Sequence, residues 1–278
     1  MVKFSLLDLR LRSSSARSAI DSFKKRLALE EWLLRHDPKS RCWLILGSHD
    51  PPHPASCEVV LGLGGKVEKL VNAEVAESDG IPLLKRFSGG GTVALDRQSL
   101  LTTFIGRNEV MDSIVAPYPR ELMEWSYDRF APVFSCHLQA KRSPVPKFEL
   151  RENDYSLDDL KIGGNAQSIV RGGWLHHTSF LWDYDERNMG YLKIPEKRPA
   201  YRGDRDHNAF ITRLCDLYEG EGEEVFFDGV IAAIRSECEL VEENLDEVVE
   251  TVERNWEGGW EKWLAGGAKQ SRTRHLHR

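Results

Sequence analysis

Lys85-Arg86-Phe87-Ser88-Gly89-Gly90-Gly91-Thr92-Val93 sets a basic side chain and a hydroxyl against three consecutive glycines, between short apolar runs at 81–85 and 92–95. Glycine accepts positive φ and close backbone approach, so three in succession can turn their amides toward an anion. Arg86 can meet that anion with a planar fork, and Ser88 with its hydroxyl. The spacing is neither that of a P-loop nor that of a dinucleotide fingerprint with its acidic follower. On this stretch alone, a structural turn and an anion cradle both remain open.

Working outward, apolar runs predict strands at 40–46, 57–62, 100–105, 148–151, 168–170, 174–181 and 240–241. Helical periodicity predicts helices over 19–34 and 67–77, from Tyr118-Pro119-Arg120 through 130, and over 207–218, 226–235 and 245–256. Short strands separated by turns, with helices between groups of them, give an α+β sheet protein rather than regular βαβ winding. The segment 194–206 reads as an extended crossing that Tyr201 and His207 could seal onto the body.

The chain has 278 residues, 41% of them apolar, enough for one enzyme-sized core with peripheral additions. Lys and Arg total 38 against 44 acidic residues, a net charge of −6 that disfavours bulk nucleic-acid binding. Five scattered cysteines, an odd number without metal-ligand spacing, predict reduced thiols rather than a secreted disulfide framework. No apolar run has the length of a membrane span, so no membrane partner is expected. A cytoplasmic or mitochondrial location is expected, the basic, serine-bearing N-terminus being either a presequence or a surface arm.

A second motif raises the odds of chemistry. Lys161-Ile162-Gly163-Gly164-Asn165-Ala166-Gln167 again places one basic side chain beside glycines, now with amide side chains. A lysine ammonium keeps its charge at neutral pH unless burial strips it, and suits a site where charge develops on phosphorus or an acyl oxygen. Upstream, Asn153 offers a phosphate or ribose contact, while Asp154 either places a divalent ion or caps a turn. In His176-His177 strand alternation would send the two rings to opposite faces, and we assign His177 to the site side.

Together these blocks resemble the lipoate-protein ligase A family of the biotin and lipoate ligase superfamily, especially its short eukaryotic members, over about residues 20 to 245. Arg86 with Ser88-Gly89-Gly90-Gly91-Thr92-Val93 is similar to the family's lipoate- and adenylate-binding signature. Asn153-Asp154 resembles its phosphate and metal-side segment, Lys161 its catalytic lysine, and Gly163-Gly164-Asn165-Ala166 the small-residue turn that follows. The pattern departs at Leu95-Asp96, where many members carry His-Asp, and at Gly62-Leu63-Gly64-Gly65.

The resemblance implies mixed, largely antiparallel sheets flanked by helices. The expected organisation is an arm at 1–18, a catalytic domain over 19–220, an extension at 221–264 and a basic tail at 265–278, disordered over 270–278. The resemblance implies ATP and Mg²⁺ as cofactors, with Asp154 the candidate metal ligand, and lipoate as substrate. The expected partner is an apo-lipoyl domain of a 2-oxoacid dehydrogenase complex or the glycine-cleavage H protein, with a separate accessory polypeptide possible. Two alternatives stand beside it: octanoyl or lipoyl transfer from acyl-carrier protein through Cys136, and a non-catalytic acyl-binding adaptor.

Overall fold

Val2–Asp8 (β1) alternates its side chains between two apolar layers, Phe4 and Leu6 entering one and Leu7 the other. Cys42–Ser48 (β2) repeats the pattern, with Leu44 and Leu46 on the first side and Trp43 and Ile45 on the second. Period-two alternation with hydrophobic residues on both faces is what a sheet covered on both sides requires. The computed structural model describes residues 1–11, 22–51, 54–141, 146–218, 220–265 and 271–276, the side chains of 11 and 136–141 excepted.

The remaining strands are Cys57–Leu61 (β3), Leu83–Lys85 (β4), Val93–Asp96 (β5), Ser99–Arg107 (β6), Phe148–Arg151 (β7), Asp154–Leu157 (β8), Leu160–Val170 (β9), Gly173–Leu181 (β10), Cys238–Glu242 (β11) and Arg274–His275 (β12). Eight of them form one sheet in the order β11-β1-β2-β6-β10-β9-β8-β7, and four form a smaller sheet ordered β12-β4-β3-β5. Only β1 with β11, β1 with β2, and β3 with β4 run parallel among these pairings. The fold is therefore α+β with mixed, largely antiparallel sheets, as expected.

Phe23–His36 (α1), Pro119–Lys141 (α2), Glu224–Arg235 (α3), Leu245–Asn255 (α4) and Gly259–Ala265 (α5) flank the sheets. On one face of the large sheet, α2 and α3 close an aromatic core in which Phe180 lies 5.0 Å from Phe130 and 4.9 Å from Phe226. On the other face α1 packs Leu27, Trp32 and Leu33 against Trp43 and Leu175, together with Val60 and Leu84 of the small sheet. Ser22 caps α1 by accepting from the Lys25 amide.

Several expectations are corrected. The start of the supposed arm at 1–18 is β1, held inside the sheet because β11 and β2 hydrogen-bond its two edges; residues 12–21 lie outside the described ones. The helix at 67–77 breaks into Val67–Leu70 and Ala73–Ser78, because Val71 pairs with Leu192 and the Asn72 amide donates to Tyr191 O. The helix at 207–218 is only His207–Phe210 followed by a 3-10 turn, since the Thr212 and Leu214 amides donate to Lys161 O and Leu181 O instead. Within the tail, residues 271–276 are ordered: β12 adds a strand to the edge of β4, and Ser271 is buried against Glu31.

Candidate active site

Strands β8, β9 and β10 carry the reactive-looking groups. Asp154 opens β8 after a turn in which Glu152 holds φ 52, and the Lys161 ammonium reaches across from β9 to Asp154 Oδ1 at 2.8 Å. Tyr201 donates its hydroxyl to Asp154 Oδ2 at 3.2 Å, and burial together with that carboxylate pushes the phenol pKa up. Gly163 and Gly164, expected in a turn, instead lie within β9, an eleven-residue strand. A Cβ on Gly163 would come 2.9 Å from the Phe180 ring, and one on Gly164 would come 3.3 Å from Lys161 Nζ. Small residues are needed there so that the aromatic core can close behind the strand and the lysine can lie along its front.

The triple-glycine loop meets the same strand. Gly89 donates its amide to Gln167 O at 2.8 Å, and a Cβ on Gly90, where φ is +100, would come 2.9 Å from Asn165 O. The lysine tip therefore lies over Gly164 while the loop presses on its neighbour Asn165. Asn165 is fixed in turn, donating to Asn153 O at 3.1 Å and accepting from the Thr178 hydroxyl at 2.7 Å.

Two expected roles change. Arg86 is 5% exposed and spends its fork on the chain itself, donating to Gly89 O, Gly91 O and Val60 O. It shapes the loop from behind rather than presenting a free fork to a ligand. Burial lowers its pKa to about 10, which leaves it charged at neutral pH. Ser88 is fully buried, with its Oγ 3.3 Å from His177 Nδ1, so its hydroxyl addresses the histidine rather than an anion.

The paired histidines do face opposite ways. His176 is buried behind the sheet against Ser126, Gln167 and Thr178, where burial and the neighbouring His177 lower its pKa to about 3. His177 lines the cleft and places Nε2 2.6 Å from Glu30 Oε2. Burial would raise the Glu30 pKa, yet His177 and Arg26 beside it prevail and hold it at about 2. Thr103 also donates to Glu30, and Arg26 continues to Gly47 O and Leu101 O. The sequence reading missed this network. Its signal was present, because Arg26 and Glu30 fall four residues apart within the apolar stripe of α1.

Glu30, Arg86, the glycine loop, Asp154, Lys161, Asn165 and His177 line one cleft of about 980 Å³. One stretch of wall is apolar, with Phe23, Leu27, Val60, Leu95 and Leu101; the other carries Gly89 to Val93, Asn153, Asp154, Lys161 and the 192–207 segment. Such a division fits a molecule with a medium-length apolar tail and a polar, anionic head. Both Asp154 oxygens are engaged, and no group of three His, Cys, Asp or Glu side chains converges among the described residues, so Asp154 would hold Mg²⁺ only together with the phosphates of a nucleotide. Asp154 also holds Lys161 in place.

The cleft thus brings a glycine loop against a lysine-bearing strand of an α+β fold. The chain belongs to the lipoyl protein ligase A/B catalytic domain family, whose model matches residues 22–239. It is 29% identical over 204 residues to the inactive lipoate--protein ligase 2 of Plasmodium falciparum, covering 64% of this chain and 53% of that one. It is 25% identical over 195 residues to lipoate-protein ligase LplJ of Bacillus subtilis, covering 69% and 53%. The chain thus spans about half the length of these curated relatives.

Among solved structures, the bi-partite lipoate protein ligase of Thermoplasma acidophilum, described with its E2 lipoyl domain, matches with a TM-score of 0.65 and 18% identity over 96% of this chain and 94% of that one. A lipoate-protein ligase A bound with ATP matches with a TM-score of 0.62 and 17% identity, covering 96% and 97%. At these identities the likeness is one of fold.

Proposed function

We propose that the chain is a lipoate-protein ligase that activates lipoate with ATP as lipoyl-AMP and transfers it to a lysine of a lipoyl domain. The supporting observation is the juxtaposition of the Lys161 ammonium, tethered by Asp154, with the glycine loop on the neighbouring stretch of β9. A carboxylate is a poor acylating agent until its oxygen is bonded to phosphorus. Lys161 offsets the charge that builds as the lipoate oxygen attacks the α-phosphorus, and again as AMP departs when the acceptor amine attacks the acyl carbon. Amides of Gly90 and Gly91 hold the head of the molecule, and the apolar wall takes the tail. An apo-lipoyl domain is the acceptor; the bi-partite Thermoplasma relative is a precedent for a separate accessory polypeptide.

A second reading, a non-catalytic acyl-binding adaptor, draws support from the Plasmodium relative's description as inactive. Transfer from acyl-carrier protein through Cys136 is the third; that side chain lies outside the described residues, and its backbone belongs to α2. Incubation with apo-lipoyl domain, lipoate and Mg²⁺, with and without ATP, separates them by product mass. Modification that needs ATP and survives Cys136→Ser supports the ligase. Modification only from octanoyl acyl-carrier protein, abolished in that variant, supports the transferase, and lipoate binding without product supports the adaptor.

A further inference from the structure

Four side chains in the cleft wall keep buried polar atoms that meet no partner among the described residues: Thr92 Oγ1, Thr102 Oγ1, Arg202 Nη2 and His207 Nε2. Of these only Arg202 carries a permanent charge, and it is 5% exposed. Its placement is built rather than incidental. Nε donates to Arg205 O at 3.0 Å, and the guanidinium sits 4.9 Å from the centre of the Phe210 ring. Arg205 is itself tied to Asp159 and to Tyr201 O. The fork is therefore held in one orientation while Nη2 is left without an acceptor. Tyr201, the residue before Arg202, donates to Asp154, which holds Lys161, and Arg202, His207, Asp154 and Lys161 all line the cleft, so these groups share one end of it. Buried donors are nearly always paired in native proteins, and a fixed cation lacking an acceptor in a binding cleft marks where a ligand supplies the anion.

We propose that Arg202 binds the β- and γ-phosphates of ATP, and hence the pyrophosphate that leaves when the acyl-adenylate forms, with His207 beside it. This deepens the ATP-dependent ligase reading and rests on it. In that step a carboxylate oxygen of lipoate bonds to the α-phosphorus, and the bond from that phosphorus to the bridging oxygen breaks. Pyrophosphate departs with the bonding electron pair. Lys161 serves the α-phosphate side and Arg202 receives the charge that accumulates on the leaving group. The segment 192–207 is thereby more than a crossing between layers, since it carries the leaving-group half of the site.

Titration calorimetry of the full chain with inorganic pyrophosphate is the direct test, because it needs no turnover. Wild type binds, Arg202→Gln weakens binding by roughly tenfold or more, and Arg202→Lys recovers part of it. In turnover, Arg202→Gln raises KM for ATP by a similar factor while KM for lipoate holds. Transfer from synthetic lipoyl-AMP, which contains no pyrophosphate, proceeds at the wild-type rate. Circular dichroism melting confirms that the variant folds. Equal pyrophosphate binding by wild type and variant overturns the assignment. So does a loss of lipoyl-AMP transfer as large as the loss of adenylation, which would make Arg202 a brace for the segment. Failure of the ligase reading looks different: wild type would release no AMP from ATP, and the pyrophosphate titration would still decide Arg202.

Discussion

Gly90 shows what a single residue can require. Its φ of +100 is strained for any side chain, and a Cβ would come 2.8 Å from Arg86 Nη2 as well as 2.9 Å from Asn165 O. Gly90→Ala is expected to cost about 1–3 kcal/mol in urea unfolding and to weaken lipoyl-AMP binding, since the loop must back away from β9. Unchanged stability with unchanged binding would mean that the loop is not locked in this way. Glu30 is held at a pKa of about 2, below the 4.5 of a free glutamate, so its stabilising contribution is present above pH 4.5 and is lost as pH falls toward 2. Glu30→Gln should therefore destabilise by about 3–5 kcal/mol at pH 7, with the difference from wild type shrinking below pH 4. A difference that stays constant with pH would contradict an ionised Glu30 held by Arg26 and His177. At this scale the sequence exposed the glycines and Lys161, because each is a local motif. It could not show that Arg86 and Ser88 turn inward, because Ser88 meets the distant His177 and Arg86 finds the Gly89, Gly91 and Val60 carbonyls only once the loop has folded over it.

Among the elements, those built from continuous apolar runs were legible and those decided by a partner were not. β2 and β3 were readable because every position from Cys42 to Gly47 and from Cys57 to Leu61 is buried. β9 was missed over most of its length because Gly163 and Gly164 look like a turn, although Gly163 is there to admit the Phe180 ring. β12 is two residues long and carries no pattern of its own. Its approach matters nonetheless: Glu31 is fully buried and accepts from the Ser271 hydroxyl, the Arg272 amide and the Arg35 guanidinium. Truncation after Ala265 leaves that carboxylate, among the described residues, with Arg35 and uncovers the edge of β4. We expect a loss of about 2 kcal/mol and a melting temperature lower by roughly 4–8 °C in calorimetry. An unchanged melting temperature would show that the tail only rests on the surface.

At the scale of the whole molecule, two sheets and the helix between them leave a cleft whose apolar and polar walls come from segments far apart in sequence. The sequence predicted the sheet-rich class and the convergence of two motifs, since both depend on local pattern. It did not predict that β1 and β11, from opposite ends of the chain, lie side by side in the large sheet. Nor did it place Tyr201 on Asp154, a contact between the crossing segment and the second motif. In the proposed reaction the Lys161 ammonium, fixed by Asp154 at 2.8 Å, stabilises charge during activation of lipoate. The direct measurement is lipoate-dependent release of AMP and pyrophosphate from ATP by wild type and Lys161→Ala, with melting curves run alongside. The prediction is that wild type turns over and that Lys161→Ala melts as wild type but is slower by about 10²–10³-fold. A folded Lys161→Ala protein that forms lipoyl-AMP at the wild-type rate would contradict it.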